Sequence, residues 1–261
     1  MSPFTIEQVR TNTSLRSNQT TKQSRMNNKL CAGTVFVSIL VLALFRIDLV
    51  RISITNSCNN CKLSNINLSG YDLQDAKLHS ANLSSTYLYA TNLQNANLTN
   101  AVLRHSGLHW ATLDGALLNG ADMRFASLSG ASLNGSSLQG AIITGADFRG
   151  VDFSGMDLKG MDFSEVTLEP LIMNKQPSVP VKMIDTNLQN ANFSKANLRH
   201  ADMTGANLSG SVLLGTNLVG TNFTGANLSN SIMEPNALSQ SLLCNTILPN
   251  MTLNSSGCHH N

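Results

Sequence analysis

The sequence predicts an all-β solenoid, and three observations carry that prediction. A bulky apolar residue recurs at every fifth position from Leu63 to Leu253: of 39 such slots, 38 hold Leu, Phe, Met or Ile, and Ser178 is the exception. Each slot is flanked by fixed chemistry. A small residue stands two places before it (Ala76, Ala81, Ala96, Ala121, Ala191, Ala206, Ala226), Asn or Asp usually stands one place before it, and Ser, Thr, Gly, Asn or Gln follow. Composition agrees, because 12% charged and 5% aromatic residues do not suit a conventional aromatic-rich core. A strict internal period marks a repeat architecture.

Period five fits neither the ~3.6 residues of a helical turn nor the alternation of a flat strand. A helix would scatter the slots around its circumference, and a strand would send alternate slots to opposite faces. The chain must instead turn a corner every five residues and return the slot to one interior. Gly and Asn after the slot supply the corner, since both tolerate positive φ. The small residue two places before it also points inward, where a bulky side chain would not fit.

The unit is plainest in the segments 191–195, 201–205 and 206–210. It resembles the A-(D/N)-L-x-x motif of the pentapeptide-repeat family, over about three quarters of the chain. The resemblance implies a right-handed quadrilateral β-helix with four repeats and about twenty residues per coil. About ten coils spaced by ~4.8 Å would give a rod on the order of 45 Å long.

In chain order, residues 1–29 are polar, with Arg10, Arg16, Lys22, Arg25 and Lys29 against Glu7, and read as a disordered basic tail. Residues 30–50 begin with sixteen uncharged residues, a little short of the ~20 needed to span hydrocarbon. Snorkelling of Arg46 and Asp48 extends the span, so the segment reads as a transmembrane signal-anchor helix. A cleaved signal peptide and a helix capping the solenoid are the alternatives. Five basic residues precede the span, which puts the N-terminus in the cytoplasm and the repeats in an extracytoplasmic space. The resemblance suggests periplasm or thylakoid lumen. Membrane lipid is the expected partner of the helix.

Residues 51–62 form a linker and cap containing Cys58 and Cys61. A stapled cap and a reactive dithiol or metal pair both remain open there, although no second CxxC completes a zinc set. Cys244 and Cys258 lie near the far end, so disulfides within each end are expected, and these would suit an oxidising compartment. Cys31 falls in the span. Residues 63–168 are the first repeat block. Near its end the small position widens to Val151, Met156, Met161 and Val166, predicting a fatter coil. Residues 169–185 lose the motif and bring Pro170, Pro177 and Pro180, which predicts a loop leaving the rod; Met173 and Met183 are expected to plug the interior. Repeats resume over 186–253, and 254–261 read as a tail whose His259 and His260 raise a weaker metal reading.

A filled interior leaves the faces, the loop and the ends for function. Functional stripes on a face must repeat every twenty residues. Asp147, Asp152, Asp157 and Asp162 fail that test, since they ring a single coil. Tyr89 and His109 pass it, with Tyr87 and Trp110 beside them, as do Arg104 and Arg124 near His105. These seven form a candidate interaction patch, against the plainer reading of scattered exposed residues. Asn187, Asn207 and Asn227, like Asn197 and Asn217, are expected to form stiffening side-chain ladders.

No Ser/His/Asp set, phosphate loop or zinc spacing appears, so the sequence predicts no catalytic residue, cofactor or metal. It predicts a non-enzymatic, membrane-tethered scaffold for an unknown protein partner. The family's DNA-mimic members, which protect gyrase by imitating an acidic duplex, suggest a cytoplasmic alternative. Residues 52–261 carry a balance of only −3, against +5 for residues 1–51, and no acidic stripe, so no nucleic-acid partner is expected. A carbohydrate-active β-helix enzyme would need paired carboxylates on one face. The open edge at Leu253 requires cover, which suggests a homodimer through the C-terminal end.

Overall fold

The computed structural model describes residues 51–52, 55–173 and 178–258. The chain divides into two units, Met1–Ile47 and Asp48–Asn261, and every described residue belongs to the second. The expected basic tail, the transmembrane segment 30–50 and the His259–His260 pair lie outside the described residues. Among those described, no helix is long and apolar enough to cross a membrane.

From Ser57 onward the backbone winds into a four-sided coil. The residue before each slot bridges in parallel to its counterparts one coil away. The columns are Ser57–Lys77–Asn97–Leu117–Ser137 on a first face and Lys62–Asn82–Val102–Asp122–Ile142 on a second. A third face carries Asn67–Tyr87–Gly107–Ser127–Asp147–Thr167, and a fourth Asp72–Asn92–Thr112–Ser132. Leu98 illustrates the bonding. Its N–H donates to the Leu117 carbonyl (2.8 Å), the Leu117 N–H donates back to Ala96 (2.9 Å), and the Ala101 N–H closes the corner on Leu98 (2.9 Å). The second residue after each slot takes the left-handed conformation, as at Asn65 (φ 59°) and Gly120 (φ 66°), which accounts for the corner chemistry.

Slot and small residues line a continuous buried core. Where Thr replaces Ala, its hydroxyl is satisfied across the coil: Thr86 donates to the Leu63 carbonyl at 2.6 Å and Thr221 to Leu198 at 2.9 Å. The Asn or Asp before the slot faces outward and accepts the N–H two residues on, as Asn82 does from Ser84 (3.0 Å) and Asn207 from Ser209 (3.2 Å). This Asx turn is why those residue types recur there. The expected asparagine ladders do not form: the Oδ1 of Asn187 and Asn207 accepts the Gln189 and Ser209 N–H groups in Asx turns, and among the described residues no side-chain hydrogen bond joins Asn187, Asn207 and Asn227 or Asn197 and Asn217. Amide side chains cross a rung where the lower residue is a carboxylate, whose Oδ1 then accepts both the Asx-turn N–H and the amide, as from Asn187 to Asp157 (2.8 Å) and Asn222 to Asp202 (3.2 Å).

The chain leaves the coil after Leu168 and re-enters it at Val181. Leu171 and Val179 pair antiparallel, exchanging N–H···O bonds of 2.7 and 2.9 Å, and the rungs beyond join residues thirty apart (Asp152–Lys182, Asp157–Asn187). The excursion is therefore 169–180 and not 169–185: Val181 and Met183 already occupy a small and a slot position and are buried. Met173 is only half-buried and plugs nothing.

Both ends are stapled. Cys58 and Cys61 point inward and form a disulfide beneath a cap that buries Ile52. At the other end strand β1 (Thr246–Ile247) pairs antiparallel with β2 (Leu253–Asn254), and a Cys244–Cys258 disulfide ties the hairpin down. Residues 254–258, read from sequence as tail, are thus part of the cap. Of the last expected slots, Met233, Leu238, Leu243 and Leu248 stay half-buried and line an open cavity of ≈ 360 Å³, whereas Leu253 lies in β2 and is exposed, so the second block does not carry its inward slot to residue 253.

Candidate interaction surface

The coil brings all seven predicted patch residues around the third face. Tyr87, Gly107, Ser127 and Asp147 form its floor. Each coil then contributes a pair of residues after the slot at the corner on either side. One corner therefore stacks Arg104 and His105 beside Arg124 and Phe125, and the other carries Tyr89, His109 and Trp110. Gly107 presents no side chain, and a Cβ there would meet nothing within 4 Å, so the floor dips between the two corners. Four rings stand exposed around it: Tyr87 (64%), Tyr89 (55%), Phe125 (54%) and Trp110 (40%).

Three of the corner residues are the wrong shape for their backbone. His105, Trp110 and Phe125 hold φ of 56°, 58° and 57°, where an L side chain costs roughly 1–2 kcal/mol and Gly or Asn much less. The same corner conformation recurs along the coil, at Glu165, Lys195 and His200 among others; what is particular here is that three neighbouring corners carry rings. Neighbours accommodate the rings. Trp110 lies over Gly130 and Phe125 over Gly145, so that a Cβ on either glycine would come within 2.7 or 2.5 Å of the ring. His105 stacks on Phe125 with centroids 5.2 Å apart and planes 9° from parallel.

Charge on this surface is organised by two carboxylates. Arg104 and Arg124 both grip Asp122, at 2.5 and 2.7 Å, leaving the cluster with one net positive charge. The Arg124 hydrogen bond is the main reason the Asp122 carboxyl falls to about 2; burial opposes it and Arg104 assists. At Asp147 burial pushes the carboxyl up, yet hydrogen bonds from Arg149, 2.6 Å away, together outweigh it and hold it below the ordinary range. The Ser127 hydroxyl donates to Asp147 (3.4 Å) and lies 3.3 Å from Nδ1 of His109.

His109, Ser127 and Asp147 are thus adjacent, a set the sequence reading did not find. Their order argues against a nucleophile: the serine stands between histidine and aspartate, whereas activation needs the histidine in the middle, oriented by the acid. Sequence reasoning also missed Asp122, Phe125 and Arg149. Separations of 18 and 20 residues carry the signal, since Asp122 lies 18 beyond Arg104 and Asp147 lies 20 beyond Ser127. Among the described residues, no group of three or more His, Cys, Asp or Glu could hold a metal ion.

Comparison with known proteins agrees with this geometry. A family model described as pentapeptide repeats matches residues 57–88, 81–120 and 116–155, and a second, described as a pentapeptide repeat region, matches 146–223. Curated proteins return no match. Among solved structures the chain is similar to HetL, a pentapeptide repeat protein involved in heterocyst differentiation regulation from the cyanobacterium Nostoc sp. strain PCC 7120. Identity is 25%, with 79% of this chain and 98% of that one covered at a TM-score of 0.67. It is also similar to QnrB1, a plasmid-mediated fluoroquinolone resistance protein, at 19% identity over 73% of this chain and 90% of that one, with a TM-score of 0.48. The repeat solenoid is accordingly a right-handed quadrilateral β-helix, and the chain belongs to the pentapeptide-repeat family.

Proposed function

We propose that the protein is a non-enzymatic scaffold, tethered to a membrane through residues 30–50, whose solenoid offers its third face to a protein partner on the non-cytoplasmic side. The observation that carries this reading is the set of exposed rings around Gly107, three of the corner residues held at unfavourable φ. Aromatic residues and arginine are the types enriched at binding hot spots. The net positive charge of the Arg104–Asp122–Arg124 cluster favours an acidic neighbour. A core filled by slot and small residues, together with a serine lacking an oriented base, supports binding over catalysis. The described disulfides support an oxidising compartment, and the uncharged run after five basic residues supports the topology. The DNA-mimic alternative gains nothing from the acidic ring, since Asp147 and Asp152 pair with Arg149 and Lys182.

The test is a photo-crosslinking residue placed at Tyr89, or at Asn207 on the opposite face, in the full chain with a C-terminal tag in intact cells. Adducts from Tyr89 alone, and a tag cut only from outside, are expected. Equal crosslinking from both faces would remove the third face from the proposal, and a tag accessible only from the cytoplasm would remove the topology.

A second copy of the chain is the proposed partner of the C-terminal end. There the half-buried last slots adjoin Met251 (64% exposed) and Leu253 (65%). Sedimentation should detect a dimer that Leu253→Lys weakens; a monomer at all concentrations refutes it.

A further inference from the structure

Apart from the C-terminal coil, where the third-face rung above Asn217 is missing, the ladder of the described residues is interrupted at one place. In an ordinary rung each coil donates to the next and receives in return: the Met123 N–H reaches Ile142 at 2.8 Å and the Ile142 N–H reaches Ala121 at 2.9 Å. Between the coils 131–145 and 151–165 this exchange fails on three faces. The N–H groups of Leu133, Leu138 and Ile143 on one side, and of Asp152, Asp157 and Asp162 on the other, make no hydrogen bond to another backbone group. On the third face the ladder continues, through Leu128 to Asp147 (2.7 Å), Phe148 to Thr167 (2.9 Å) and Thr167 to Ala146 (3.0 Å). The covalent chain crosses between the two coils next to that face.

Side-chain volume explains the gap. Coil 131–146 has ordinary small residues (Ala131, Ser136, Ala141, Ala146), but its neighbour brings Val151, Met156, Met161 and Val166 together with Phe153 and Phe163. Rings pack in series there: Phe148 to Phe153 at 5.2 Å, Phe153 to Phe163 at 6.3 Å, and Phe163 to Phe193 at 4.8 Å. Overfilling pushes structure apart before it compresses. The slot residues facing each other across the seam, Leu133, Leu138 and Ile143 against Phe153, Leu158 and Phe163, stay buried, with slight exposure at Ser136 and Ala141 (8% and 9%). Methionine, with three rotatable bonds, can refill such a space as its width changes.

We propose that this seam is a hinge. The solenoid consists of two stacks, 57–147 and 151–247, that flex about the third face, with the greatest excursion on the first face opposite. Ser127, Asp147 and Arg149 stand on the pin, so a partner seated on the third face would ride on the axis while surfaces on the first face open and close.

Two measurements on the full chain test it. Hydrogen exchange should find the amides of Leu133, Leu138, Asp157 and Asp162 exchanging at least ~100-fold faster than those of Leu113, Leu118, Asn187 and Asn192 in paired coils; equal protection would show a closed ladder and overturn the proposal. Distances between spin labels then separate a hinge from a fixed gap, in a chain carrying Cys31→Ser. The pair Leu117→Cys and Asn187→Cys spans the seam on the first face, and Ser127→Cys and Asn197→Cys spans it over the same number of rungs on the third. The first-face distribution should be broader. Equal widths would leave a static opening and refute the hinge.

Discussion

Replacing Gly130 with alanine should unseat Trp110. Gly130 has a φ of +69°, and an added Cβ would lie 2.7 Å from the indole ring. Two costs follow. The left-handed backbone costs an alanine roughly 1–2 kcal/mol. The ring must also leave its seat: with 40% of Trp110 exposed, on the order of 100 Å² is covered. Uncovering half of that, at about 25 cal/mol per Å², adds on the order of 1 kcal/mol. Gly135 is the internal control. Its φ is +66°, but its Cβ would meet nothing within 4 Å, so Gly135→Ala bears the backbone cost alone. In urea unfolding Gly130→Ala should lose about 1 kcal/mol more than Gly135→Ala. The chain has a single tryptophan, so its fluorescence reports directly: emission should shift red and quencher access rise in Gly130→Ala only. Identical stabilities with unchanged emission would mean that the indole does not rest on Gly130, and the account of the third face as a preset aromatic surface would fall.

Core, charge and staples give further tests. Phe163→Ala should cost roughly 3–5 kcal/mol, since the ring is fully buried and stacked on Phe193; a loss below about 1 kcal/mol by denaturant titration would contradict that packing. The Asp122 carboxyl, at about 2 against an ordinary 3.8, stabilises the fold above its unfolded value, and that contribution disappears as pH falls from 3.8 toward 2. Carboxyl NMR should give the low midpoint, and Arg124→Gln should raise it. Mild reductant should open the half-buried Cys244–Cys258 bond before the inward-facing Cys58–Cys61 bond, because exchange requires access to sulfur. Mass spectrometry of alkylated peptides would reveal the order, and faster amide exchange confined to the β1–β2 hairpin should accompany the first opening.

The five-residue period alone determined that the chain coils, which residues face inward, and where the corners fall. Leu slots cannot share one interior at that spacing on a helix or a flat strand, so the local pattern leaves little choice. The twenty-residue register, once four sides are assumed, also put Tyr89 beside His109 and Arg104 beside Arg124. What the sequence could not decide depends on groups meeting across coils. Asp122 becomes a shared anion only because two arginines from different coils reach it. Phe125 joins the surface because His105 stacks on it and Gly145 leaves room for its ring. The serine between His109 and Asp147 is arranged by stacking and has no local signature. The excursion ends at Val181 because a small residue and a slot methionine fit the interior there, although the neighbouring composition resembles loop. The seam likewise depends on total volume: Met156 and Met161 looked like a fatter coil, but only packing against the coil below shows that the ladder gives way on three faces and holds on one.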